Sequence, residues 1–366
     1  FCAMAEWFYR GTPRADESWF WLGCLAVTAL AATFGENRVW EGYTPLFTHA
    51  FAVYYVLCRS GRLLEGGSGQ LLPLDALFGL IVFPFKHLFL RIRTVSFALT
   101  HRKTGEETHP AAWAAMAVGA LLALGLLALA VRELSGADAA FDAWTQKLLG
   151  VFQWRLNEQT LWNVLLSLPV GAYLFGLIVG TGREKIEAVR ARGERVNAAL
   201  GSLRKVPVAV WTAALGVFAA LYLAFFSLQA GYLFGAFVKM IPDGYTIAEY
   251  ARQGFFSLCR VMAVNFALLW LVTRACVKPV RQEKTLLLLC AVLLCQSLVF
   301  AAIAASKLYL YISSYGFTPR RLQSAWLIAV LAAGTVCALY SLVTGKKAVR
   351  YWMLFSAATL MLLSLY

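Results

Sequence analysis

Long apolar runs separated by short basic loops set the pattern of this chain. The runs are Trp19–Phe34, Tyr43–Cys58, Ala111–Val131, Leu161–Gly180, Val206–Leu228, Phe255–Ala275, Leu286–Tyr311, Ser324–Val343 and Trp352–Tyr366. A helix needs about 20 residues to cross the hydrocarbon of a bilayer. The pattern therefore predicts an all-α, polytopic transmembrane helical bundle of about nine spans. The first two runs are shorter and need their flanking aromatics to reach the interface. A further apolar stretch, Leu71–Phe85, fits badly. It is only about 15 residues long, well short of a full span. It also contains Asp75 and is bounded by Pro73 and Pro84. If it crossed, every later loop would change side. It leads into Phe85-Lys-His-Leu-Phe-Leu-Arg-Ile-Arg93, which mixes bases with bulky apolar residues. Residues 71–93 are therefore expected to form a re-entrant or interfacial segment. Phe141, Trp144, Leu148, Val151 and Phe152 recur at helical spacing and suggest a second interfacial helix, on the opposite side.

The basic residues orient the bundle. Arg183, Lys185, Arg190, Arg192, Arg195, Arg204 and Lys205 crowd the loop 182–205. Arg274, Lys278, Arg281 and Lys284 follow the sixth run, and Lys346, Lys347 and Arg350 follow the eighth. These three loops share a side if each intervening run crosses once. Counting backwards adds Arg10, Arg14, Arg59, Arg62, Lys86, Arg91, Arg93, Arg102 and Lys103 to it. Loops on the other side balance their few bases with acids. The basic side is thus expected to be cytoplasmic.

Composition agrees. The chain is 60% hydrophobic and 14% charged, where a soluble domain carries about 25% charged residues. Its net charge of +14 would suit nucleic acid, but the bases follow the topology. Contact with anionic lipid headgroups is the expected partner, and no nucleic acid is. The eight cysteines fall mostly in apolar runs without a CxxC pair, and the four histidines do not cluster. No metal site, disulfide framework or cofactor is expected. The chain begins at Phe1 and ends at Tyr366 within an apolar run, so further sequence is expected beyond both ends. One membrane domain, residues 1–366, accounts for what is present, with the 182–205 loop as its longest soluble element.

Two outer segments carry explicit local signals. Pro242-Asp-Gly is a turn, and Thr246-x-x-Glu249 is a capping box that starts a helix running into the sixth span. Glu249, Gln253 and Arg260 then share one helical face, with Arg252 nearby. Arg260 and Asn265 lie inside the apolar run, where a charge is costly and should face protein or water. The second segment runs from Lys307 through Tyr311 and Tyr315 to Gly316-Phe-Thr-Pro-Arg320-Arg321. Gly316 suits a helix end, Thr318 an N-cap and Pro319 the first helical position. Gln296 shares a face with Lys307. Arg320 and Arg321 at a helix N-terminus meet a positive dipole end, which an anion would relieve. Glu249, a lipid phosphate or an anionic ligand can supply that charge. Together Glu249, Arg252, Gln253, Arg260, Gln296, Lys307, Tyr311, Tyr315, Arg320 and Arg321 form the candidate ligand-binding set. The bland alternative is an aromatic belt, a helix cap and snorkelling cations.

The runs Ala248-Glu-Tyr-Ala-Arg-Gln-Gly-Phe-Phe-Ser-Leu258 and Tyr311-Ile-Ser-Ser-Tyr-Gly-Phe-Thr-Pro-Arg320 resemble a family of bacterial multi-pass membrane proteins. The family is known as a domain of unknown function, number 4173, with a close relative numbered 4153. Phe317 stands where that family has a small apolar residue. The resemblance covers most of the chain and implies a bacterial plasma (inner) membrane protein. It implies no activity, cofactor or catalytic residue.

Three function classes fit these observations. The first is binding or transport of a small or anionic ligand through an outward-facing polar cavity. The second is a sensor or regulatory subunit acting through a partner protein. The third is an enzyme on a lipid-linked substrate, with Glu249 as acid–base and arginines on phosphate. No HExxH, GxSxG or Gly-rich phosphate loop supports the third, and no catalytic residue is assigned.

Overall fold

A computed structural model describes residues 1–34, 42–100, 158–228 and 246–365, with scattered positions between 123 and 147. The helices are α1 Cys2–Phe8, α2 Glu17–Phe34, α3 Thr44–Arg59, α4 Leu72–Leu77, α5 Phe83–Lys86, α6 Leu90–Thr100 and α7 Glu158–Phe175. They continue with α8 Ile186–Gly201, α9 Val208–Leu228, α10 Ile247–Ala275, α11 Lys284–Tyr315, α12 Pro319–Thr344 and α13 Val349–Ser364. Among the described residues there is no strand, and extended pairing is confined to a bridge between Val206 and Cys276. Among the described residues, six segments are long and apolar enough to cross a membrane: Glu17–Phe34, Trp162–Arg183, Val208–Leu228, Gly254–Ala275, Lys284–Tyr315 and Pro319–Thr344. Of the nine expected runs, those at α3 and α13 form helices of 16 residues, shorter than these six. Most of the run Ala111–Val131 lies outside the described residues, as do the Pro242-Asp-Gly turn and most of Phe141–Trp154.

The chain forms two compact units, Phe1–Phe78 with Glu184–Tyr366, and Gly79–Arg183. In the first, α11 is the central helix. It packs against α9, α10 and α12, while α2 packs against α3 and α13. The reason is legible along α11: Leu286, Cys290, Leu293, Ser297, Phe300 and Ala304 are all buried. They recur three and four residues apart and make one continuous inward face. The outward faces of α9 and α10 carry exposed Val217, Leu221, Leu223, Phe256 and Val264, as helices facing lipid do. Five cysteines are buried and all eight are free, in line with packing roles.

The Leu71–Phe85 stretch is a broken helix. α4 gives way to a π-helical turn at Phe78–Val82 before α5 begins. In the second unit, α7 carries Pro169 in its interior and also ends in a π turn, Gly176–Gly180. There Gly176 lies where a Cβ would stand 2.6 Å from the Pro84 carbonyl oxygen, so only glycine permits the approach. Tyr173 donates to the Leu80 carbonyl at 3.0 Å in the same unit.

Candidate functional site

The α10–α12 region forms largely as its local signals direct. Thr246 caps α10, and its hydroxyl accepts the Glu249 N–H at 3.3 Å. The Glu249 carboxylate in turn accepts from the Thr246 N–H at 3.2 Å and hydroxyl at 2.7 Å. Glu249 is therefore engaged in the cap. Arg252 and Gln253 lie on α10, but their side chains are outside the described residues. Gly316 ends α11 at φ 78° and Pro319 opens α12. Thr318 has the extended backbone of an N-cap, without a side-chain capping bond.

The electrostatic conflict expected at Arg321 finds a different relief. Its guanidinium donates to the carbonyls of Tyr315, at 2.8 Å, and Gly316. It lies over the rings of Tyr311 and Tyr315, 4.1 and 5.9 Å from their centroids. A helix C-terminus is the negative end of its dipole, so Arg321 on α12 stabilises the end of α11. Arg281 does the same at the opposite end of the bundle, donating to the Val343 carbonyl of α12 at 2.8 Å. Arg320 is exposed. Arg260 is exposed and reaches Ser257 on its own helix at 3.3 Å. Lys307 is half-buried, with its ammonium against Gly254, where a Cβ would collide with it.

Deeper in the bundle the polar side chains converge. The Tyr222 hydroxyl of α9 donates to Asn265 Oδ1 of α10 at 2.7 Å. Asn265 Nδ2 donates to Ser297 Oγ of α11 at 2.8 Å, and Ser297 donates to the Leu293 carbonyl at 2.9 Å. Beside Ser297, Gln296 Nε2 donates to the Ala219 carbonyl of α9 at 3.0 Å. Gln296 is 5% exposed, and its Oε1 is buried without a donor. Turning the amide over would set that oxygen against the Ala219 carbonyl, so the orphan cannot be removed by a flip. Gln296 lies about 18 Å along α11 from Lys284 and about 16 Å from Lys307, at 1.5 Å per residue. The cluster thus sits at mid-depth. Asn265 and Gln296 stand out in sequence as polar residues in apolar runs. Tyr222 and Ser297 are the added members, and neither had a signal beyond being a hydroxyl in an apolar run.

The basic end of the same unit holds a second polar layer that the sequence did not reveal. Arg59, at the end of α3, is 4% exposed. It donates to Glu6 Oε2 at 3.0 Å and to the carbonyls of Tyr9 and Thr12 at 2.7 and 3.1 Å. Glu6 also accepts from Tyr55 and Arg14. Burial alone would raise the Glu6 carboxyl, but the bonds from Tyr55 and Arg59, with the charges of Arg59 and Arg14, hold it below its ordinary value. Around the 60–71 loop, Arg62 donates to the Glu184 carbonyl at 2.7 Å. Glu17 accepts from the Ser68 N–H at 3.1 Å and pairs with Arg350 at 2.7 Å. The Leu64 N–H donates to Asp75 Oδ1 at 2.9 Å. A cleft of about 520 Å³ opens here between this loop, α8 and Lys347. Its walls include Leu64, Glu65, Arg190, Glu194 and Asn197.

Gly193 of α8 is buried at the cleft wall, and a methyl there would overlap the Leu64 carbonyl oxygen. Gly193→Ala should therefore destabilise by about 1–3 kcal/mol through overpacking. A matched thermal melt of the purified protein checks this, and an unchanged midpoint contradicts the close approach.

Fold and polar placement together define the class: a multi-pass helical membrane protein with a polar cluster inside its bundle. Among families, the chain matches the domain of unknown function DUF4153 over residues 9–366 and belongs to it. Neither a curated protein nor a solved structure matches it.

Proposed function

We propose that the chain binds a small ligand within the α9–α12 bundle, entering from the side of the α11–α12 hairpin. The observation that supports it is the mid-depth orphan at Gln296. A buried acceptor without a donor costs about 1–3 kcal/mol, and intramembrane polar groups mark ligand pathways. A ligand hydroxyl or ammonium would satisfy Oε1. Lys307, Arg260 and Arg320 would meet an anionic group at the outer level, with Tyr311, Tyr315 and Arg321 shaping the hairpin and Glu249, Arg252 and Gln253 at the α10 start. The ligand class is thus a small anion carrying a hydrogen-bond donor. Passage across the membrane is the fuller form of the same proposal.

The test is uptake and equilibrium binding of labelled phosphate, lactate and glutamate by the protein in liposomes. Protein-dependent binding of one of them, weakened about tenfold in Gln296→Leu, is the expected result, since one lost charge-free hydrogen bond is worth about that factor. No protein-dependent binding of any of the three sinks the proposal.

A second reading is favoured by the cleft at the basic end: a sensor or regulatory subunit whose 182–205 segment meets a partner protein. In both readings we place the chain in a bacterial plasma membrane, with its basic loops cytoplasmic and against anionic headgroups.

A further inference from the structure

Asp75 is the most isolated buried acid among the described residues of the basic end. It is 1% exposed. Its two oxygens are treated differently: Oδ1 accepts the Leu64 N–H at 2.9 Å, whereas Oδ2 is buried without a partner. The charged group acting directly on it is acidic. Tyr54 of α3 has its hydroxyl buried beside Ser68 and lies within electrostatic reach of Asp75. Cys58 of α3 lies within the same reach, as do Glu17 and Arg350 from Cys58. Glu65 of the loop adds a second negative charge near Asp75. Arg350 already pairs with Glu17, and Glu65 meets Lys347 at 3.6 Å. Among the described residues the Asp75 carboxylate therefore has no direct cation, and Oδ2 has no donor.

We infer that Asp75 is a proton-binding site whose occupancy sets how firmly the 61–71 loop holds the wall of the basic-end cleft. The proton goes onto Oδ2, the oxygen with no partner, and Oδ1 keeps the Leu64 N–H. A hydrogen bond to a neutral carboxyl is about half as strong as one to a carboxylate. Proton binding thus loosens the Leu64 peptide, whose carbonyl side is clamped against Gly193. Leu64 lines the cleft beside Glu65 and Arg190, so the change reaches the cleft directly. Burial, with Glu65 adding to it, pushes the Asp75 carboxyl up to about 7, which brings the exchange into the neutral range. Proton binding here shares no residue with ligand binding in the bundle, and either can fail alone.

The test uses the full chain in lipid nanodiscs, titrated from about pH 5 to about pH 9, a range that brackets the shifted group. Difference infrared spectroscopy reads the carbonyl stretch of a buried protonated carboxyl. Hydrogen exchange, corrected for the intrinsic pH dependence of the chemistry, reads the 61–71 loop. The expected result is a carboxyl band that titrates near neutrality and is absent in Asp75→Asn. Loop exchange should be about tenfold faster on the acid side, with that difference lost in the variant. Glu65→Gln, a milder change, should move the transition to lower pH. A band that persists in Asp75→Asn, no titrating band, an unmoved transition in Glu65→Gln, or loop exchange indifferent to Asp75 would each overturn the inference.

Discussion

Arg59→Ala should cost about 3 kcal/mol of stability, at the lower end for breaking a buried ion pair because Glu6 retains some exposure. The Arg59 side chain is 5% exposed and joins α3 to α1 and the turn after it through one carboxylate and two carbonyls. Alanine would take the guanidinium from the Thr12 carbonyl, leave the Tyr9 carbonyl to the Thr12 N–H, and leave Glu6 with weaker compensation. Arg59→Lys should fall between, since a single ammonium cannot reproduce the planar fork. Chemical denaturation in detergent micelles would measure the loss. An Arg59→Ala variant as stable as the parent would show that the network contributes nothing. The same site has a pH signature. The Glu6 carboxyl is lowered in the fold. Its contribution is present above the ordinary glutamate value and is lost as pH falls through the folded one. Arg59→Ala should therefore cost least in acid.

Asp75 should act with the opposite sign in global unfolding, which hydrates the carboxyl that loosening of the 61–71 loop leaves buried. Its folded value near 7 lies above the ordinary aspartate value of about 3.9. Between those limits the folded state holds a proton that the unfolded state has lost. Stability from this group is therefore full below about pH 4, falls as pH rises to about 7, and is flat beyond. Three pKa units correspond to about 4 kcal/mol. Asp75→Asn keeps an acceptor for the Leu64 N–H and removes the buried charge. Its gain over the parent should be small near pH 4 and approach that figure at pH 8. Denaturation midpoints of the two proteins across this range would show it. A gain that does not grow with pH would place Asp75 in a solvated site.

The local signals on α10 to α12 were readable because each acts within a few residues. The Thr246–Glu249 box, Gly316 at a helix end and Pro319 at a helix start all form from side chains and backbone within a few residues of each other. The partner of Arg321 was not readable. The sequence showed a cation at a positive helix end and suggested an anion. The tight hairpin instead brings the carbonyl end of α11 within its reach.

Apolar runs and basic loops by themselves determined an all-helical, multi-pass membrane chain, because the bilayer filters on length and hydropathy without regard to neighbours. Tertiary packing alone decided which polar groups meet. Glu6 with Arg59, 53 residues on, and Tyr222 with Asn265, 43 residues on, have no spacing rule to announce them. They meet because α1, α3, α9 and α10 pack where their apolar faces fit. The orphan oxygens of Gln296 and Asp75 are likewise products of that packing, since a buried atom lacks a partner only when every surrounding helix is in place.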